Sequence, residues 1–268
     1  MLGLAALVAL AASGTGEAAL ERLPSGRAGD VVRRAIEYAG GMEAWAAVRT
    51  LAFRKTTIGL RADGSEESRR VQLHRYRMSP FGARIEWTEG GKSIVLVNDG
   101  RQGRKLVDGA PVSAAHDVNE ARNATFGSHY VFNMPFKLTD AGAHLEHLGR
   151  ETLRGGNLAE KIRVTYEKGV GDAGGLHTWT YYFDAKTGRL AANLLRYEGG
   201  RYEYTEYLDD AAVGPLYLST RRYGYAADAR GAKGPKRSEI VYEDIRLDVP
   251  LEDGLFLTPS PSPASDGR

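Results

Sequence analysis

The sequence predicts a mainly β protein built as an antiparallel meander, and three observations carry that expectation. Runs rich in β-branched and aromatic residues recur at roughly eight to twelve residues per strand and turn, divided by Gly, Pro and Asp. The densest stretch, His177 to Asp209, reads as three strands joined by turns at Asp184-Ala185-Lys186-Thr187-Gly188 and Gly199-Gly200. Helical periods do not alternate with these runs, so βαβ units are not expected. A chain of 268 residues suits one large all-β domain.

Leu2 to Ala12 is an apolar run followed by small residues, too short to span a bilayer, and it reads as the core of a signal peptide over 1–20. The alternative is a helix packed on the domain. Val31, Val32, Ala35, Ile36 and Ala39 then recur at helical spacing, and Gly40-Gly41 ends that helix. A short second helix, Met42 to Val48, carries Trp45 as a plug for one end of the core.

Strands follow over Leu51–Leu60, Arg69–Met78, Ala83–Glu89, Lys92–Asp99 and Gln102–Asp108. Ser113 to Phe132 interrupts them. Asp117 with Glu120 has the spacing of a capping box, so a helix is expected there, broken near Gly127 and ended before Pro135. That helix reads either as a lid over the sheet or as an ordinary cover for the core. Strands resume over His144–Arg150 and Ala159–Glu167, then the dense trio, then Leu216–Ala226 and Ser238–Asp248, with a loop at Gly231–Pro235. Residues 27–258 form the expected domain, and the Ser/Pro-rich residues 259–268 a disordered tail.

Composition excludes several functions. Lys and Arg number 36 against 34 Asp and Glu, interleaved, so neither nucleic acid nor an anionic surface is an expected partner. The absence of Cys rules out disulfides, thiolate nucleophiles, Cys-ligated metals and acylation of a Cys. No second segment reaches membrane-spanning length, no phosphate-binding loop or dinucleotide fingerprint is present, and neither a Gly-x-Ser-x-Gly elbow nor His-Glu-x-x-His occurs. His144 and His147 fall on opposite faces of a strand, so no metal is expected, and no cofactor. The acidic pairs Asp209-Asp210 and Glu243-Asp244 are expected to be solvated.

Three stretches resemble bacterial outer-membrane lipoprotein-sorting-like proteins. They are Gly40-Gly41-Met42-Glu43-Ala44-Trp45 with Val48-Arg49-Thr50-Leu51, Tyr130 to Leu138 (YVFNMPFKL), and Tyr182 to Gly188 (YFDAKTG). The resemblance spans most of the chain between Asp30 and Thr258 and implies a LolA-like fold. That is an unclosed antiparallel half-barrel, here of about eleven strands, with helices over its concave apolar face. It also implies a periplasmic, monomeric carrier of lipid or lipoprotein acyl chains, with envelope proteins as further partners. Such carriers hold their lid helices through one arginine on an early strand. Arg54 lies on a strand of that kind, with Arg61 and Arg69 as competitors.

Trp179, Tyr181 and Phe183 share one face of their strand, and Thr178, Thr180 and Tyr182 the other. Both faces are partly apolar, as are both faces of Leu190 to Leu195, so either one face meets helices and the other a ligand, or both are core. The candidate wall and lid residues are Phe53, Phe132, Met134, Phe136, Trp179, Tyr181, Phe183 and Leu194. Tyr202, Tyr204, Glu206 and Leu208 share a strand face opposite Arg201, Glu203, Thr205 and Tyr207, an aromatic ladder of the kind that binds sugars or bases but is more often cross-strand packing. Two other functions fit the same features: an enzyme using a carboxylate or histidine in the hollow, and an assembly partner that pairs through a sheet edge.

Overall fold

A computed structural model describes residues 16–112 and 114–257. The expected signal-peptide core and the tail from Thr258 lie outside the described residues. Residues 16–20 form a helical turn, Ala19 and Leu23 are buried, and Arg22 Nε donates to the Thr139 carbonyl at 2.7 Å.

Three helices and fifteen strands follow. The helices are α1 (Arg27–Tyr38), α2 (Met42–Ala47) and α3 (Ala115–Phe132). The first meander is β1 (Thr50–Leu60), β2 (Glu66–Arg77), β3 (Gly82–Glu89), β4 (Lys92–Asn98), β5 (Gly103–Val107) and β6 (Ala110–Val112). The second runs β7 (Ala143–Thr152), β8 (Leu158–Tyr166), β9 (Thr178–Asp184), β10 (Leu190–Arg196) and β11 (Tyr202–Tyr207). It leaves the sheet for the hairpin β12 (Asp210–Val213) and β13 (Leu216–Ser219), then rejoins as β14 (Arg221–Ala227).

The last strand, β15 (Lys233–Leu247), inserts between β1 and β14 and fuses both halves into one antiparallel sheet of thirteen strands. Its edges, β6 and β7, do not meet, so the sheet is unclosed. The chain between those edges is α3 and the 3-10 turn Phe136–Thr139. Passing from one edge to the other takes that connection across one face of the sheet, where α3 packs on β4 and β5. No helix among the described residues is long and apolar enough to cross a membrane.

Local chemistry explains the joints. Asp184 Oδ1 accepts from the Lys186 and Thr187 amides at 3.0 and 2.7 Å, fixing the expected β9–β10 turn. Gly188 there has φ of 84°, and a Cβ would lie 2.8 Å from the Arg34 carbonyl, so the turn can dock on α1 only with glycine. Gly40, at φ 109°, ends α1 as expected and leaves no room for a Cβ against the Pro215 carbonyl.

The main core lies between the helices and the face they cover. Val31, Val32, Ala35 and Ile36 of α1 are buried there. Trp45 stacks on Phe136 at 4.9 Å, and Phe53 on Phe132 at 4.2 Å. On the opposite face Ala159, Tyr182, Ala192, Leu194 and Tyr204 form a smaller cluster, over which Lys233 lies 5.4 Å from the Tyr204 ring.

Several expectations fail for identifiable reasons. The helix α3 runs 18 residues without a break at Gly127. Its N-cap is Ala114, so no capping box forms, and Asp117 with Glu120 instead holds Lys105 of β5, both at 3.0 Å. Leu216–Ala226 is two strands because the Thr220 amide turns to the Asp209 carbonyl at 2.7 Å. β15 begins inside the expected 231–235 loop; Pro235 is accommodated where the register with β14 shifts between Lys233 and Lys236, so its missing N–H costs no ladder bond. Of the two acidic pairs, Asp209, Glu243 and Asp244 are exposed as expected, and Asp210 alone is drawn in. Asp210 Oδ2 accepts from Arg189 at 2.6 Å and Tyr38 at 2.9 Å. Glu243 and Asp244, at a bulge of β15 where Asp244 has φ 53°, both reach Arg54 from the surface.

A buried carboxylate joins α1 to the second meander. Glu160 of β8 is fully buried and accepts from Arg27 of α1, His147 Nε2 at 2.7 Å and Arg150 Nε at 2.9 Å. Burial alone would raise its pKa, but these donors hold it at about 2. A carboxylate depressed in this way stabilises the fold above its unfolded pKa and loses that contribution as pH falls through about 2. Glu160→Gln should therefore cost about 2 kcal/mol at neutral pH. Urea unfolding of both proteins should show that difference shrinking from about pH 4.5 towards 2.

Candidate functional site

Alternation along the strands decides which side chains lie beneath α3. On β1, Phe53 is turned into the core and Lys55, two residues on, lines the adjoining space. Register carries the same face across the sheet: Lys55 pairs with Tyr242 of β15, Ile240 with Arg222 of β14, and Arg222 with Tyr207 of β11. Tyr207 receives the Asn193 Nδ2 hydrogen bond at 2.8 Å, and Leu195 of β10 pairs with Trp179 of β9. From above, Ala124, Gly127, Ser128 and Val131 present one helical face. A cavity of about 330 Å³ remains between these surfaces.

Its walls are apolar but its floor is not. Arg222 is 3% exposed, and its guanidinium lies between the Tyr207 and Tyr242 rings, 4.6 and 4.8 Å from their centroids. Its Nε meets no acceptor. Burial, with the charges of Arg222 and Arg70, pushes the Lys55 ammonium down to about 8. Among the described residues no hydrogen bond or ion pair engages Lys55 or Arg222. Burial also raises the Tyr207 and Tyr242 phenols, which stay protonated at neutral pH. Glu203, at the rim, accepts from Tyr197 Oη at 2.9 Å and lies 3.5 Å from Arg201.

On the other flank of α3 a second cavity, of about 480 Å³, is bordered by Met78, Phe81, Phe126, His129 and Tyr130. Burial and the nearby Lys137 charge hold His129 at about 3, so its ring is neutral there. No group of three or more His, Asp or Glu side chains among the described residues is arranged to hold a metal ion.

The structure distributes the sequence-derived candidates unevenly. Phe53, Phe132, Met134, Phe136, Tyr181 and Phe183 are all buried in the main core. Trp179 alone of the eight lines the 330 Å³ cavity. Leu194 points to the opposite face, with Tyr182 and Tyr204. Arg54, one residue out of phase with Phe53, also faces away from α3; it lies 3.4 Å from Glu243 and 3.2 Å from Asp244. Arg69 pairs with Glu66 at 2.6 Å, and Arg61 bonds the Glu66 carbonyl.

Sequence reasoning missed Lys55, Asn193, Leu195, Arg222, Ile240 and Tyr242 as cavity residues. One signal was legible: Lys55 shares the strand face of Phe53, an unusual place for a cation. The face carrying Glu203, Thr205 and Tyr207, rather than that of Tyr202 and Tyr204, is the one turned to the cavity.

No protein-family model and no curated protein matches this chain. Solved structures do. A DUF1329 family protein from Desulfovibrio piger superposes with a TM-score of 0.58 at 12% identity, over 86% of this chain and 97% of that one. A LolA superfamily protein from Nitrosomonas europaea gives 0.55 at 13%, over 87% and 99%. A putative outer membrane lipoprotein-sorting protein domain from Vibrio parahaemolyticus gives 0.51 at 11%, over 85% and 94%. The fold is LolA-like, as the three sequence stretches imply.

An ammonium depressed by burial destabilises the folded state at every pH below its folded pKa, and the penalty disappears above the unfolded value. Lys55→Met should therefore stabilise the protein by about 2 kcal/mol at pH 7. In chemical denaturation the gain over the parent protein should decline between pH 8 and 10.5.

Proposed function

We propose that the protein is an exported carrier-like module of the bacterial envelope that holds an acyl chain beneath α3. One observation carries the reading: an apolar-walled cavity of about 330 Å³ lies between a LolA-like sheet and the helix that crosses it. Such a volume is within the range of about 300–1,000 Å³ common to ligand sites. Burying a chain there supplies about 0.8 kcal/mol per methylene. The carrier reading also draws on the structural neighbours described as LolA superfamily and lipoprotein-sorting proteins. A periplasmic location follows from the same argument and from the apolar run at Leu2 to Ala12.

Edge pairing with a partner finds less support. β6 is three residues long and includes Pro111, while β7 carries His144, Glu146 and Arg150 and shifts register between His147 and Arg150. Short, charged and bulged edges resist strand addition.

A barrel-scaffold enzyme remains as a second reading because the cavity is not wholly apolar. Lys55, with its pKa near 8 beside another cation, has the character of an amine nucleophile. If Lys55 forms Schiff bases, borohydride with an aliphatic aldehyde probe should label it at neutral pH, faster than exposed lysines. Peptide mapping that finds Lys55 unlabelled removes this second reading.

Thr205 lines the cavity from a strand and is partly exposed, so Thr205→Phe should fill space without breaking the fold. That substitution should weaken binding of a fluorescent acyl probe by about tenfold or more. Organic extracts of protein taken from its native host should also contain lipid. Empty extracts together with no probe binding would remove the carrier reading.

A further inference from the structure

We infer that the cavity beneath α3 takes a single-chain amphiphile with an anionic head, a carboxylate or a phosphate, and that Arg222 and Lys55 receive that head. This inference rests on the acyl-binding reading and specifies its ligand.

The cavity floor carries positive charge that nothing in the fold balances. Buried cations are paired or they are expensive, and Arg222 is 3% exposed. The Tyr207 and Tyr242 rings on either side offset part of that cost through their π faces and fix the guanidinium plane. They do not satisfy its donors, and Nε has no acceptor. Lys55 adds a second positive charge close enough to Arg222 for each to disfavour the other. Glu203 is the one carboxylate among the described residues lining this space, and it is already engaged by Tyr197 and lies beside Arg201. A floor with two cations and no counter-charge is complementary to an anion that arrives from outside.

The neighbouring groups fit the same head. The Tyr207 oxygen accepts from Asn193 Nδ2, which leaves its own O–H free to donate. A planar guanidinium with a phenol beside it suits a carboxylate or phosphate, whose oxygens accept several bonds at once.

The remaining walls fit the tail. Trp179, Leu195 and Ile240 face Val131 of α3 across the space. With each methylene counted as about the 30 Å³ of a water molecule, 330 Å³ admits about ten heavy atoms. That is one medium chain, not the several of a multiply acylated anchor.

The test is calorimetric titration at pH 7 with decanoate, decyl phosphate and 1-decanol, which share a chain and differ in head. Both anions should bind at least about tenfold more tightly than decanol, and the tighter of the two identifies the head. Arg222→Met should abolish that preference, bringing the anions down to the affinity of decanol. Arg222→Lys, which keeps charge but loses the fork, should recover part of it. Lys55→Met, at a less buried position, should lower anion affinity severalfold, and thermal melts report whether each variant folds. Equal binding of decanol and decanoate by the parent protein overturns the assignment of the head and leaves the acyl reading standing. If none of the three probes binds, both fall.

Discussion

The structure depends on β15. The two meanders have no other shared ladder, because β1 and β14 each pair with β15 and not with each other. Once that strand is in place the outer edges, β6 and β7, are held apart, and the chain between them must travel across the sheet. The covering helix is therefore a consequence of topology. Its underside is left with small residues, Ala124, Gly127 and Ser128, where larger ones would fill the space. The cavity exists because thirteen strands in one open sheet span more area than three helices cover.

Most of the framework was legible in the sequence because it depends on local chemistry. The Asp184 to Gly188 turn, the glycine pair ending α1 and the apolar period from Val31 to Ala39 each act over a few residues. Long strands were recovered for the same reason. The failures are those in which distant groups override a local signal. Asp117 carries the right spacing for a cap, but Lys105, on another element, claims it. Pro235 reads as a loop residue until a bulge on β15 removes the need for its hydrogen bond. Thr220 belongs to a good strand pattern, broken only because Asp209 is brought within 2.7 Å.

The candidate site was less legible than the fold. Aromatic density marked the strands correctly, but dense aromatic clusters fill volume, and most of those residues became core. The space is found where the packing is polar or small, at Lys55, Asn193, Thr205 and Arg222. Strand parity gives each residue one of two faces, yet which face is covered depends on pairings between segments far apart in the chain. The bulge between Leu190 and Ala192 adds a further change of phase, so Leu190 joins the main core while Ala192 and Leu194 face away. No count along a single strand recovers that.

The placement of β15 also orders events in time. Leu51 pairs with Leu247, so the ladder that joins the two half-sheets waits for nearly the whole described chain to become available. Until then β1 and β14 present bare edges, and each half-sheet exposes the apolar surface that α1 and α3 later cover. Contacts so distant in sequence make folding slow and the waiting intermediate prone to association. The seam is thus sewn last, and a polypeptide cut short before Lys233 is left as two unjoined halves.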